Sequence, residues 1–151
     1  MRYLHTMLRV RDLDVALSFW RDQLGMIETN RIENSGGRFT LAFLAAPEDE
    51  ETGRTSKAPL LELTYNWPED GAETAPYAEG RAFGHLAFVV DDIYAVCARL
   101  EKAGVTLNRP PRDGHMAFVR SPDGQSVELL QKGKAQPQQD PWRSMPNSGE
   151  W

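Results

Sequence analysis

A chain of 151 residues is long enough for one domain with a sizeable core, and its 40% hydrophobic and 26% charged content fits an ordinary soluble globular protein. A formal net charge of −5, with no basic stripe interleaved with aromatics, argues against a nucleic-acid partner. A single cysteine excludes an intrachain disulfide and a zinc–thiolate site; no signal-peptide-like apolar run opens the chain and no segment approaches the roughly 20 apolar residues of a membrane span, so no membrane association is expected and the cytoplasm is the expected compartment.

Residues 3–10 alternate as a strand, with His5, Met7 and Arg9 on one face and Thr6, Leu8 and Val10 on the other. Asp12 suits a helix N-cap, Leu13, Ala16, Leu17, Trp20 and Leu24 follow at helical spacing, and Gly25 suits the stop. Strands are expected near 26–33 and 38–45 around a turn at 34–37. The acidic stretch 46–58 reads as a solvated loop. The strand from Leu60 to Trp67 closes this half. Leu61, Leu63 and Tyr65 share one face, and Glu62, Thr64 and Asn66 share the other. The order is β-α-β-β-β over residues 1–67.

Residues 68–80, with two prolines and two glycines, read as a linker. The pattern then restarts with an offset of 80 over residues 81–132: His85 takes the place of His5, Asp92 that of Asp12, and Ile93 that of Leu13. Ile93, Val96, Cys97 and Leu100 repeat the helical stripe as far as Gly104, and Cys97 reads as a small core residue. Ala117-Phe118-Val119 echoes Ala42-Phe43-Leu44, and Val127-Glu128-Leu129 echoes Leu61-Glu62-Leu63, with turns at 112–114 and 122–124. Residues 133–151 are rich in Gln and Pro, a composition usually disordered, although Trp142 and Trp151 offer anchors for partial docking.

Each half therefore opens on a strand bearing His and closes on a strand bearing Glu, 57 residues apart in the first and 43 in the second. Taken singly, a strand His is usually a hydrogen-bonded structural residue and a strand Glu is usually solvated. Four such residues in equivalent places form a reasonable metal set, His5, Glu62, His85 and Glu128. Its N and O donors suit zinc, nickel, cobalt, iron or manganese, and an octahedral ion would keep two positions open for water or substrate. His115 has no counterpart and reads as a surface residue. Arg9 shares a face with His5, Asn66 shares one with Glu62, Arg81 precedes His85 by four residues, and Arg109 and Arg112 lie in a Pro-rich loop. Guanidinium groups around a metal pocket suit a carboxylate-bearing substrate.

His5-Thr6-Met7-Leu8-Arg9-Val10, Glu62-Leu63-Thr64-Tyr65-Asn66-Trp67, Phe83-Gly84-His85 and the stretch Ser121 to Glu128 resemble glyoxalase I (lactoylglutathione lyase) of the vicinal oxygen chelate superfamily, over about residues 1–132. The resemblance implies an α+β fold of two paired βαβββ modules, forming curled mixed sheets around a metal pocket, and a homodimer whose pockets are shared between chains. It implies isomerisation of the methylglyoxal–glutathione hemithioacetal to S-lactoylglutathione through an enediolate, a role in methylglyoxal detoxification. One divalent metal would occupy each site, with nickel or cobalt favoured and zinc the alternative. Glu128 would be the general base and Glu62 the second carboxylate, while Arg9, Asn66, Arg81 and Arg109 would hold glutathione. The 109–116 loop is shorter than in well-known members. That leaves open a related isomerase or lyase acting on another thiol adduct; a further alternative is a non-catalytic small-molecule binder, as some superfamily members are, which the four ligand positions argue against.

Overall fold

The computed structural model describes residues 1–69, 72, 75–78, 80 and 82–149. The chain divides into two compact units, Met1–Ala78 and Glu79–Trp151. The expected 68–80 linker falls partly outside the described residues, as do Arg81 and Trp151.

In the first unit β1 (His5–Val10) leads into α1 (Leu13–Leu17). The Asp12 side chain accepts a hydrogen bond from the Val15 N–H, as an N-cap should. The expected single helix to Leu24 is corrected: after Leu17 the backbone widens into a π-turn over Ser18–Gln23, with Leu24 N–H donating to the Phe19 carbonyl at 2.9 Å. The neighbours Phe19 and Trp20 are both buried in this turn, at 2% and 0% exposure. Strands β2 (Ile27–Asn34), β3 (Phe39–Ala45) and β4 (Leu60–Asn66) complete a sheet of order β1-β4-β3-β2, with β1 and β4 parallel and the other pairs antiparallel.

The acidic 46–58 stretch is not a loop. It forms a 3-10 turn (Pro47–Asp49) and α2 (Glu50–Ser56). Gly53 makes this possible, because a Cβ there would stand 3.0 Å from both Ala45 Cβ and Leu60 Cδ2. Arg54 fastens the helix from above, pairing with Glu50 at 2.9 Å and donating to the carbonyls of Thr29 and Glu28.

The second unit repeats the plan with β5 (His85–Val90), α3 (Ile93–Lys102), β6 (Leu107–Arg109), β7 (Met116–Arg120) and β8 (Ser126–Gln131), in order β5-β8-β7-β6. Gly25 and Gly104 end the two helical segments at φ +87° and +84°, a conformation that favours glycine. Alternation sets the two faces of each sheet. Val127, Leu129, Ala117 and Val119 are fully buried, and α3 packs its Ile93, Cys97 and Leu100 beneath the sheet. The expected α+β fold of βαβββ modules is borne out.

Residues 133–149 are ordered on the second unit. The Trp142 ring stacks on Tyr94 with centroids 5.1 Å apart, and its Nε1–H donates to Glu101 Oε2 at 3.1 Å. The Gln136 N–H donates to the Gly114 carbonyl, Arg112 Nη1 to the Met145 carbonyl, and the Ser148 N–H to the Asn108 carbonyl. The tail thus meets the 112–114 turn at Gln136, lies against α3 at Trp142, passes Arg112 at Met145 and ends beside the edge strand β6.

Candidate functional site

In the parallel β1/β4 pair His5 stands opposite Leu60 and Met7 opposite Glu62. His5 reaches diagonally forward, so that its Nε2 lies 3.1 Å from Glu62 Oε2. The second unit repeats the geometry. His85 stands opposite Ser126, and its Nε2 lies 3.2 Å from Glu128 Oε2. The carboxylates are sheltered, at 12% and 15% side-chain exposure, while the imidazoles are 39% and 45% exposed. Each pair is backed by an aromatic edge. Phe43, opposite Glu62, meets the His5 ring at 6.0 Å and 74°, and Phe118, opposite Glu128, meets the His85 ring at 5.5 Å and 85°.

An imidazole nitrogen and a carboxylate oxygen each bound to one ion at about 2.0–2.2 Å in cis octahedral positions would lie about 3 Å apart. The two observed separations match that spacing, so the residues fit a divalent cation with N and O ligands. Among the described residues, no group of three or more His, Cys, Asp or Glu side chains converges, so each unit supplies one His–Glu pair.

The surroundings of the pairs differ. Thr64 Oγ1 donates to Glu62 Oε1 at 3.0 Å. Arg9 Nη1 donates to Asn66 Oδ1 at 2.6 Å, using the same diagonal step as His5 and Glu62. Arg109 is 16% exposed. It pairs with Asp113 at 2.7 Å and donates to the Met116 carbonyl. Burial by itself would raise the Asp113 carboxyl, but the Arg109 guanidinium and the N–H groups of Met116 and His115 outweigh it and hold the pKa down to about 2. Arg112 is turned toward the tail. His115 is exposed and Cys97 buried, both as expected; burial pushes the Cys97 thiol up to about 12.

Structure therefore brings His5 to Glu62, His85 to Glu128 and Arg9 to Asn66, and ties Arg109 into its own loop. Sequence reading missed Thr64 as the partner of Glu62 and Asp113 as the partner of Arg109. The signal for Thr64 was present, since it shares Glu62's face two residues on.

The family model described as Glyoxalase/Bleomycin resistance protein/Dioxygenase superfamily matches residues 2–129. A lactoylglutathione lyase of Neisseria meningitidis serogroup A is 42% identical over 137 residues, 87% of this chain and 91% of that protein. One of Haemophilus influenzae is 40% identical over 136 residues, 87% of this chain and 93% of that protein. The trypanothione-dependent glyoxalase I of Leishmania major has a similar structure, with a TM-score of 0.73, 36% identity and coverage of 87% of both chains.

Proposed function

Because the chain belongs to the Glyoxalase/Bleomycin resistance protein/Dioxygenase superfamily, we propose that it is a metal-dependent glyoxalase I, a lactoylglutathione lyase that isomerises the methylglyoxal–glutathione hemithioacetal to S-lactoylglutathione. The observation that carries this reading is the His–Glu pair built twice, at 3.1 and 3.2 Å, on equivalent parallel strands. A pure small-molecule binder has no use for two such donor pairs.

His5, Glu62, His85 and Glu128 are the ligands in this reading, two from each unit. The bound cation supplies Lewis-acid polarisation of the substrate's oxygens. Glu128 takes the proton from the carbon bearing sulfur and returns it to the neighbouring carbon, while Glu62 stays as the second carboxylate. The net change is an internal redox isomerisation that needs no nicotinamide or flavin. Arg9 and Asn66, already hydrogen-bonded to each other at 2.6 Å, present a cationic group and an amide to a carboxylate of glutathione. Arg81 and Arg109 complete the glutathione-holding set. The working form is a homodimer with pockets shared between chains, in the cytoplasm; among the described residues no helix is long and apolar enough to cross a membrane.

A second reading keeps the chemistry and changes the thiol. The Leishmania major protein, 36% identical, is described as trypanothione-dependent, so this fold carries more than one thiol specificity. One assay tests both. Apoprotein loaded separately with nickel, cobalt, zinc or no metal is given methylglyoxal with glutathione, and thioester formation is followed. Metal-dependent turnover supports the first reading, and the order of the metals sets the type, with nickel or cobalt expected above zinc. Confirmed metal binding with no turnover rejects glutathione and moves the test to other thiols.

A further inference from the structure

The two His–Glu pairs are built alike but braced differently. In the first unit both carboxylate oxygens of Glu62 are engaged, Oε2 by His5 at 3.1 Å and Oε1 by the Thr64 hydroxyl at 3.0 Å. Thr64 is 7% exposed, so water does not compete freely for its hydroxyl. In the second unit the place of Thr64 is taken by Leu130, which has no polar side-chain atom. The hydroxyl on that face, Ser126 Oγ, is buried and has no hydrogen-bond partner among the described residues, so it does not hold Glu128. Among the described residues Glu128 is thus tethered at one oxygen and Glu62 at two.

We propose that Thr64 is a positioning residue that fixes Glu62 in place and so leaves Glu128 as the carboxylate free to leave its partner and carry the proton. The inference rests on the glyoxalase reading above and deepens it. In that reading the proton passes from the carbon bearing sulfur to a carboxylate oxygen, the electron pair of the broken C–H bond stays on the substrate, and the proton returns to the neighbouring carbon. No oxidant or co-reactant is consumed. The difference between the carboxylates is freedom of movement, set by one hydroxyl two residues along β4.

Freeing Glu62 should let it substitute for Glu128. Turnover of the methylglyoxal–glutathione adduct by nickel-loaded protein is compared for the parent, E128Q, T64V/E128Q and T64S/E128Q, with thermal melts to show that each is folded. Valine keeps the shape of threonine and removes the hydroxyl; serine keeps the hydroxyl. E128Q should lose at least about 100-fold in turnover. T64V/E128Q should regain about tenfold over E128Q, the worth of one hydrogen bond to a charged group. T64S/E128Q should stay at the E128Q level. Nickel affinity of T64V, measured by calorimetry, should fall about tenfold as Glu62 loses its brace, the low end of the roughly 10–100-fold that loss of a ligand's hydrogen-bond partner typically costs. A T64V/E128Q no more active than E128Q, or a T64V with the parent's nickel affinity, overturns the inference. Absence of turnover in the parent would instead remove the glyoxalase reading; in that event the nickel affinity of T64V alone decides whether the hydroxyl braces Glu62.

Discussion

Truncating Trp142 to alanine should unfasten the tail and destabilise the second unit. Trp142 is 8% exposed, stacks on Tyr94 at 5.1 Å and donates to Glu101 at 3.1 Å. Burying roughly 200 Å² of indole at about 25 cal/mol per Å² gives an upper bound of about 5 kcal/mol. Chain freedom regained by the released tail offsets part of that loss, since ordering each residue costs about 1–2 kcal/mol. A net loss of about 2–3 kcal/mol is expected, at or just below the low end for buried aromatic truncations. In a chain of this size each kcal/mol moves the melting temperature by about 2–4 °C, so W142A should melt about 5–10 °C lower. W142F keeps a ring for the stack and loses the N–H donor, and should fall about 1–4 °C. Thermal unfolding of metal-free protein at one concentration reads both. A W142A melt within about 1 °C of the parent would refute the reasoning and make the docked tail energetically idle.

His5→Ala and His85→Ala should each weaken nickel binding at least about 100-fold while the fold is kept, read by calorimetry and circular dichroism. Glu128→Gln should keep the parent melting temperature within about 2 °C and lose at least about 100-fold in turnover; wild-type activity would reassign the base. The carboxyl of Asp113 is held down to about 2, below its ordinary value of about 3.9. Its contribution is therefore fully present above about pH 4 and is lost as pH falls toward about 2, so Asp113→Asn should narrow the stability gap to the parent over that window. Cys97, buried and with its thiol pushed up to about 12, should resist alkylation at pH 8 in the folded protein and react once it is unfolded in guanidinium.

What the sequence disclosed and what it hid divide along a physical line. The repeat, the strands and the His and Glu positions were legible because alternation assigns each residue to a face with no knowledge of its neighbours. Helix α2 was hidden because its sequence, Glu-Glu-Thr-Gly-Arg-Thr-Ser, carries no apolar stripe. Its packing comes from the absence of a side chain at Gly53 and from Arg54 reaching the β2 carbonyls, neither of which leaves a hydrophobic period. The π-turn was hidden because Trp20 and Leu24 also satisfy ordinary helical spacing. Docking of the tail depended on Tyr94 and Glu101 facing outward together from α3, to meet a residue some 40 positions away.

One pairing in the site was more legible than the alternation alone suggested. Along two parallel strands both chains advance together, so a given diagonal step keeps a constant difference in residue number, whereas along antiparallel strands the sum is constant. His5 and Glu62 differ by 57, and so do Arg9 and Asn66, which the structure joins at 2.6 Å. Once β1 and β4 are taken as parallel partners, the first pair specifies the second. Applied to the second unit, the His85–Glu128 difference of 43 carries Val89 to Lys132, and valine has no polar atom with which to continue the row. The polar ladder is therefore two rungs long in the first unit and one in the second. The repeat thus duplicated the His–Glu pair and did not duplicate the Arg–Asn pair beside it.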